Sequence, residues 1–430
     1  MNRRDFLVAA AALAAPLVGL RAAELLPPSR GRRVVVIGGG WGGLTAARHL
    51  RELAPELEVV LLEKNASFWS CPLSNQWLAN RVETRFLVHD YAAAAKAHGY
   101  VFIRSEASDI DRARRRVVTS LGTLDYDWLI LASGIRYDFT AWYGDDRRAV
   151  AHTLENFPCA FIPGDEFFAL RRKLDGFKGG DLLMTLPPMP YRCPPAPYER
   201  ALMIDWLLRS RRIKGRLIVI DPNPNAAGFG RTFAEQHKER IVHVPQARIK
   251  SVDPFTKTVS TDFDDFRFDD AILMPPQQAG ELAWKAGLIA TDAAGRPTGW
   301  ADADPVHLHA RGDERVFLIG DLLGSVSPLF GHYPKSGHMA NRLGRIAARE
   351  IAARARDAAP EQRLPESVCY VHTEVDPPEL TRIDSHYRLR GDGLIAQTVS
   401  QARDPNPRGE DVAWAKTMFE EFLAPEKPAG

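Results

Sequence analysis

The sequence has little cysteine, almost no net charge and no apolar run long enough to span a bilayer. Its 430 residues include four cysteines, which are too few for a disulfide scaffold and lack the paired spacing of a zinc or c-type haem site. Lysine plus arginine (56) nearly equals aspartate plus glutamate (54), so the formal net charge is +2. We therefore predict no metal site, no haem and no nucleic-acid partner for this chain.

An apolar stretch near the N-terminus follows Arg3 and Arg4 and extends from Phe6 to Leu20. Its 15 residues fall short of the roughly 20 that cross a membrane, and small residues at Ala22 and Ala23 provide a cleavage site. This order predicts a twin-arginine export signal; the alternative is a buried N-terminal helix. We expect a periplasmic protein without a membrane span, in a compartment where a disulfide can persist.

The remaining chain predicts an α/β fold. Residues Arg33–Ile37 form a continuous apolar run typical of a buried parallel strand, Leu44–Leu53 has helical spacing, and Leu57–Leu62 is a second apolar strand. Further strand-like runs are Trp128–Ala132, Asp181–Leu186, Arg216–Ile220, Ala271–Met274 and Val316–Ile319. Strands alternating with helices indicate parallel sheets. The charged region after Ala358 is interpreted as a separate small unit.

A glycine-rich turn joins the first strand to the first helix. Gly38, Gly40 and Gly43 form G-x-G-x-x-G in that position, where they allow a tight turn, backbone approach to a pyrophosphate and close packing of helix on strand. The helix N-terminus adds free N–H groups for the phosphates. Glu63 ends the second strand, 20 residues after Gly43, where a carboxylate can bind the ribose hydroxyls. The sequence therefore predicts a dinucleotide site.

Two later segments favour FAD over NAD as that dinucleotide. Gly134 follows the strand at Trp128 and Asp321 follows the strand at Val316, and both segments resemble the later nucleotide-binding segments of two-dinucleotide flavoproteins. A second G-x-G-x-x-G is missing, because the strand Asp181–Leu186 runs into the proline-rich segment 187–195. Proline lacks the N–H that holds a phosphate, so we expect no NAD(P) there.

Five ordered segments resemble one family, the flavoprotein subunit of flavocytochrome c sulfide dehydrogenase. They are Phe68–Asn75, Arg192–Arg200, Pro275–Gly280, Pro334–Gly337 and Cys369–Tyr370. The resemblance implies an FAD domain, a degenerate NAD-like domain, both Rossmann-like, and a small C-terminal domain. The implied boundaries are 1–30 for signal and linker, 31–145 and 275–357 for the FAD domain, 146–274 for the NAD-like domain and 358–430 for the C-terminal domain.

The resemblance also assigns three of the four cysteines. Cys71 matches the position that carries a thioether to the flavin; the alternative is a buried free thiol. Cys193 and Cys369 match a redox-active disulfide at the flavin face. Because they are 176 residues apart, a purely structural bond that stabilises by about 5 kcal/mol is the competing interpretation. Cys159 has no counterpart and is interpreted either as a buried thiol or as a partner in disulfide exchange.

The remaining implied site residues are Glu199, as a base, and Lys335, near the flavin N1–C2 carbonyl. For Glu199 the alternative is an ion pair with Arg192 or Arg200. For Lys335 it is an exposed loop lysine. A lengthened connection before Pro334 brings His332 and His338 into consideration, with solvated loop histidines as our expectation for both.

The implied activity is oxidation of hydrosulfide: hydrosulfide attacks the disulfide, and electrons pass through FAD to a c-type cytochrome subunit, whose haem lies on that partner. One alternative is a sulfide:quinone reductase; against it, residues 412–423 indicate a core-facing helix rather than a membrane-docking one. An NADH dehydrogenase and a non-catalytic flavin-bearing subunit are the others. Bleaching of the flavin by sulfide, but not by NADH, would exclude the last two functions. Oxidation of the reduced enzyme by cytochrome c or by a soluble quinone would separate the sulfide dehydrogenase from the quinone reductase.

Overall fold

The computed structural model describes residues 23–224, 226 and 228–425. The predicted export signal, including Arg3, Arg4 and Ala22, lies outside the described residues and stays a prediction. Among the helices that are described, none combines the length and the apolar character needed to cross a membrane. The α/β fold class is confirmed, since parallel sheets with helices between their strands dominate the two large domains.

Residues 31–145 open with the βαβ unit expected from the sequence. Their elements are β1 (Arg33–Ile37), α1 (Trp41–Leu53), β2 (Glu58–Glu63), β3 (Ser67–Trp69), α2 (Ser74–Leu78), α3 (Thr84–Leu87), β4 (Val88–Asp90), α4 (Tyr91–His98), β5 (Val101–Arg104), β6 (Ala107–Asp111), β7 (Arg116–Thr119), β8 (Gly122–Asp125), β9 (Trp128–Leu131), β10 (Ile135–Tyr137) and α5 (Thr140–Tyr143). All five residues of β1 are buried, because β1 lies between β2 and β9 and is parallel to both.

Residues 146–274 contain a second parallel sheet, with strand order β13-β12-β11-β17, and a three-stranded antiparallel sheet of β14, β15 and β16. The elements are α6 (Arg147–Asn156), α7 (Asp165–Gly176), β11 (Gly180–Thr185), α8 (Ala196–Ser210), β12 (Gly215–Asp221), α9 (Phe229–Gln236), β13 (Ile241–Pro245), β14 (Ile249–Asp253), β15 (Thr258–Thr261), β16 (Asp265–Arg267) and β17 (Asp270–Ile272). The strand β11 ends where the proline-rich segment begins, so that segment and α8 lie at the carboxyl edge of this sheet.

Residues 275–357 return to the first sheet. They contain β18 (Gln277–Ala279), α10 (Glu281–Lys285), β19 (Ile289–Thr291), β20 (Pro297–Ala301), β21 (His309–Ala310), β22 (Asp313–Leu318), a 3₁₀ turn (Gly320–Leu322) and α11 (Gly337–Arg354). The first sheet has the order β21-β22-β9-β1-β2-β5, so it is built from two separate parts of the chain. Helix α11 packs directly on α1: a Cβ on Gly344 would lie 2.4 Å from the carbonyl oxygen of Gly42.

The C-terminal residues form an antiparallel sheet of β23 (Glu366–Val375), β24 (Pro378–Leu389) and β25 (Ile395–Asp404), followed by α12 (Glu410–Glu420). Helix α12 also contacts the FAD domain, and the predicted boundary of the C-terminal unit stays a prediction. Its buried Met418 and Phe419 belong to the main hydrophobic core, and Phe419 packs on Trp41 with ring centroids 5.5 Å apart. The expectation that this helix faces the core agrees with the structure.

Predicted and observed elements differ mainly at their ends. Helix α1 begins at Trp41 rather than Leu44. The apolar pattern did not predict this first turn, because Gly42 and Gly43 have no side chains to show the helical spacing. Strand β22 begins at Asp313 rather than Val316, and β17 ends at Ile272 rather than Met274. None of these differences moves a residue of the predicted site.

Candidate active site

The glycine turn leaves open space at the N-terminus of α1. A Cβ on Gly38, whose φ is +102°, would lie 2.4 Å from the carbonyl oxygen of Ala132, and a Cβ on Gly43 would lie 1.9 Å from that of Gly38. A Cβ on Gly40 would meet no atom within 4 Å. Two of these glycines therefore permit close packing within the protein, whereas the third borders an open cavity.

The cavity measures about 710 Å³ and lies between the first sheet, the proline-rich segment and β23, a volume within the range of cofactor sites. Glu63 lines it, and its Oε2 accepts a hydrogen bond of 2.7 Å from the N–H of Gly39. Among the described residues, Oδ1 of Asp321 and Oγ of Ser133 are buried along this cavity without a hydrogen-bond partner. Ligand hydroxyls would satisfy both atoms, so the residues present fit FAD.

Arg192 lines the cavity. From the sequence it was expected only as a possible ion-pair partner of Glu199. Its Nε donates to Oδ2 of Asp321 at 2.6 Å, and a terminal nitrogen donates to the carbonyl oxygen of Phe161 at 2.6 Å. A Cβ on Gly134, whose φ is +65°, would lie 2.8 Å from this guanidinium group. The pair joins residues 129 positions apart, and no local pattern indicates such a contact.

Cys193 and Cys369 lie together at the cavity, with their side chains in hydrogen-bond contact. The structure gives all four cysteines as free thiols, and the disulfide stays a prediction. The hydrogen bond with Cys369, followed by burial, holds the pKa of Cys193 well above its usual value. Cys193 has a positive φ of 51°, and its N–H donates to the carbonyl oxygen of Lys335 at 2.7 Å. The backbone thus presents this sulfur to the cavity.

The other two cysteines lie in different surroundings. Cys71 lines the cavity 3.9 Å from a terminal nitrogen of Arg192, and burial raises the pKa of its thiol despite that neighbour. Cys159 is a buried thiol that donates to Oε1 of Glu166 at 3.3 Å, which agrees with the first of the two interpretations offered for it. Tyr137 donates to the same carboxylate at 2.6 Å.

Glu199 lies in the first turn of α8 and lines the cavity. The alternative of an ion pair with Arg192 or Arg200 is wrong: Oε1 of Glu199 accepts from the N–H of His372 at 2.8 Å, and Oε2 accepts from Nδ2 of Asn75 at 2.7 Å. Burial raises the pKa of Glu199 above its usual value, although the charge of His372 and these hydrogen bonds oppose the shift. A half-buried carboxyl group with a raised pKa beside a sulfur pair is suited to proton transfer.

Lys335 is not an exposed loop residue. It is 4% exposed, and its Nζ donates to the carbonyl oxygens of Asp321 at 2.9 Å and Leu323 at 2.6 Å. Burial lowers the pKa of Lys335 to about 7. It is absent from the residues that line the cavity, so its ammonium group braces the backbone around Asp321, and a direct contact with the flavin stays a prediction.

The expectation of solvated loop histidines is wrong for His338, whereas His332 lies in a loop and is half-buried. His338 lies in α11, is buried and accepts a hydrogen bond of 2.8 Å at Nδ1 from the N–H of Val368, next to Cys369. Burial lowers its pKa to about 3, and burial also lowers that of His332 to about 4. His338 therefore holds β23 in place as a neutral imidazole.

Two protein families match separate parts of this chain. The central part of the sulfide dehydrogenase (flavocytochrome c) flavoprotein chain matches residues 168–275, and pyridine nucleotide-disulphide oxidoreductase matches residues 32–155. The structure of sulfide:quinone oxidoreductase from Aquifex aeolicus superposes with a TM-score of 0.72 at 19% identity, over 92% of this chain and 93% of that one. Putidaredoxin reductase superposes with a TM-score of 0.63 at 17% identity, over 91% and 93%. The fold is that of the pyridine nucleotide-disulphide oxidoreductases.

Sequence relatives narrow the class. The flavoprotein chain of sulfide dehydrogenase from Chlorobaculum thiosulfatiphilum is 50% identical over 44 residues, which are 10% of this chain and 92% of that sequence. Sulfide-quinone reductase from Aquifex aeolicus is 25% identical over 276 residues, 60% of this chain, and the match spans 61% of that relative's length. The chain belongs to the flavoprotein family of the sulfide dehydrogenases and sulfide:quinone reductases.

Proposed function

We propose that this protein oxidises hydrosulfide at Cys193 and Cys369 with FAD bound in the adjoining cavity. The observation that carries this proposal is the contact between the two sulfur-bearing side chains at the wall of the cavity that the glycine turn also lines. A disulfide that only stabilised the fold would not need to lie at the wall of this cavity. FAD, when bound, would supply the acceptor for the two electrons that leave the sulfur atoms.

The cysteines and Glu199 account for the sulfur chemistry. Hydrosulfide attacks one sulfur of the Cys193–Cys369 disulfide, so a new S–S bond forms as the old one breaks, leaving a persulfide on one cysteine and a thiolate on the other. The persulfide still carries the proton of hydrosulfide. Glu199 accepts that proton; its carboxylate is half-buried, and its charge contributes to the raised pKa of the neighbouring Cys193. Its hydrogen bonds to Asn75 and the backbone of His372 keep both oxygens in place.

The second Rossmann-like domain supports an electron route without NAD(P)H. Asp221 ends β12, as Glu63 ends β2, but it is fully buried and accepts hydrogen bonds from the hydroxyl of Tyr198 at 2.8 Å and from the N–H of Asn223 at 2.9 Å. Asn223 also bonds the proline-rich segment through the N–H of Met189 and the carbonyl oxygen of Pro187. Both carboxylate oxygens of Asp221 therefore already accept hydrogen bonds within the chain, which supports the proposed absence of NAD(P).

We also propose that twin-arginine export places the protein in the periplasm and that a thioether joins Cys71 to the flavin. The proposed electron acceptor is a c-type cytochrome subunit. The family of the Chlorobaculum relative supports this acceptor, whereas the longer match to the Aquifex relative favours a quinone. Reduced enzyme should therefore be mixed separately with cytochrome c and with a soluble quinone. Faster oxidation by the quinone would overturn the cytochrome assignment.

Rapid mixing of the purified protein with sulfide tests the activity itself. We expect the absorbance of oxidised flavin to fall with sulfide and to persist with NADH. Persistent absorbance with sulfide would support the non-catalytic alternative. Mass spectrometry of the denatured protein tests the linkage, because a thioether adds the mass of FAD to the chain, and this addition should disappear in Cys71→Ser.

A further inference from the structure

A row of polar side chains continues from Glu199. The N–H of His372 donates to Oε1 of Glu199 at 2.8 Å, and Nε2 of its ring lies 3.2 Å from Oδ2 of Asp411. Gln76 donates to the same oxygen of Asp411. Strand β23 and helices α2, α8 and α12 each contribute one of these residues. The proposed sulfur chemistry uses neither the ring of His372 nor Asp411.

The imidazole of His372 is buried beside the carboxylate of Asp411. His372 is 6% exposed and Asp411 is 4% exposed. Within the described chain, Nδ1 of His372 is buried without a hydrogen-bond partner. A buried ring bound to a buried carboxylate is stabilised in its charged form when other negative groups lie nearby. Glu199 is such a group, because its Oε1 lies 2.8 Å from the backbone nitrogen of His372. The charge of His372 lowers the pKa of Glu199, and the charge of Glu199 raises that of His372, although the charge of Asp411 opposes the ionisation of Glu199.

The charges facing His372 come from several elements. Asp411 of α12 and Glu199 of α8 favour the imidazolium, and Arg81, after α2, opposes it. On β24 the residue opposite His372 is Leu380, which is uncharged. Directly after α9, His237 binds Glu374 at 2.8 Å. On α11, His338 binds the backbone of β23. The pKa of His372 is raised even though burial, the largest influence, lowers it.

We propose that His372, held by Asp411, is a positioning residue that keeps Glu199 ionised so that Glu199 can accept the proton from sulfur. The inference rests on the proposed function of Glu199. The two groups must then affect each other equally: the imidazolium lowers the proton affinity of Glu199, and the carboxylate of Glu199 raises the proton affinity of His372 by the same amount.

The first test is the pH profile of flavin bleaching at saturating sulfide, which removes the ionisation of free substrate from the profile. His372→Gln keeps the backbone N–H that binds Glu199, so only the ring is lost. We expect the acidic limb to move up by about one pH unit, the lower end of the effect of a near charge. The matched control is His237→Gln, a second buried histidine bound to carboxylates, which should leave the limb in place. A uniform loss of rate with an unmoved limb would overturn the proposal.

The second test does not need turnover. Nuclear magnetic resonance of ¹⁵N-histidine-labelled holoprotein follows the titration of His372, assigned by its absence in His372→Gln. We expect its midpoint to fall in Glu199→Gln and in Asp411→Asn, while that of His237 stays unchanged. A midpoint unaffected by Glu199→Gln would overturn the proposal even if His372→Gln failed to fold. If sulfide fails to bleach the native flavin, the proposed function falls, and this titration still shows whether the two groups are coupled.

Discussion

Gly40→Ala should weaken the binding of FAD with little effect on the stability of the fold, whereas Gly43→Ala should lower the stability of the fold. Gly40 has a φ of −73°, which any residue adopts, and its Cβ would meet no atom within 4 Å. We expect Gly40→Ala to lower the free energy of unfolding of the apoprotein by less than about 1 kcal/mol, the cost of a weaker N-cap. Its methyl group would occupy the space of the pyrophosphate, so FAD should bind at least about tenfold more weakly, about 1.4 kcal/mol.

Gly43→Ala is the matched control for the fold. Its Cβ would lie 1.9 Å from the carbonyl oxygen of Gly38 and 3.3 Å from a methyl group of Val36, so helix and strand must separate, at a cost near the top of about 1–3 kcal/mol. Thermal unfolding of the apoproteins and the ratio of flavin to protein after purification measure the two effects. Normal FAD content in Gly40→Ala would refute the placement of the nucleotide at this turn.

Three further predictions concern the sulfur pair, the ion pair of Arg192 with Asp321, and His237. Cys369→Ser should abolish bleaching of the flavin by sulfide, while Cys159→Ser should leave it intact; bleaching by Cys369→Ser in rapid mixing would contradict the role of the sulfur pair. Arg192→Met leaves the buried carboxylate of Asp321 without its ion-pair partner and should lower the free energy of unfolding by about 3–5 kcal/mol in urea titrations. Adding Asp321→Asn should restore part of this free energy. Burial opposes the charge of His237, but hydrogen bonds to two carboxylates raise its pKa to about 9. Its stabilising contribution is therefore complete below pH of about 6.5 and lost as pH rises through 9, and His237→Gln should flatten this dependence of stability on pH.

Local sequence patterns were sufficient for the first Rossmann-like unit. The apolar run of β1 and the glycines after it predict a buried strand, a tight turn and a helix, because each of these depends on residues adjacent in the chain. The same argument predicted that the second sheet lacks a glycine turn, since the prolines follow β11 directly. The contact between Cys193 and Cys369 was expected only through the resemblance, because no local pattern brings together residues 176 positions apart.

What the sequence determined by itself is the placement of glycines, prolines and apolar runs, and hence the strands, the open turn and the class of cofactor. What only the tertiary structure decided is which charged groups meet. Glu199 binds Asn75 and the backbone of His372 instead of an arginine, Arg192 binds Asp321, and Lys335 turns towards backbone carbonyls. The physical reason is that the partner and pKa of a buried charge depend on groups brought together by packing, which sequence separation does not reveal.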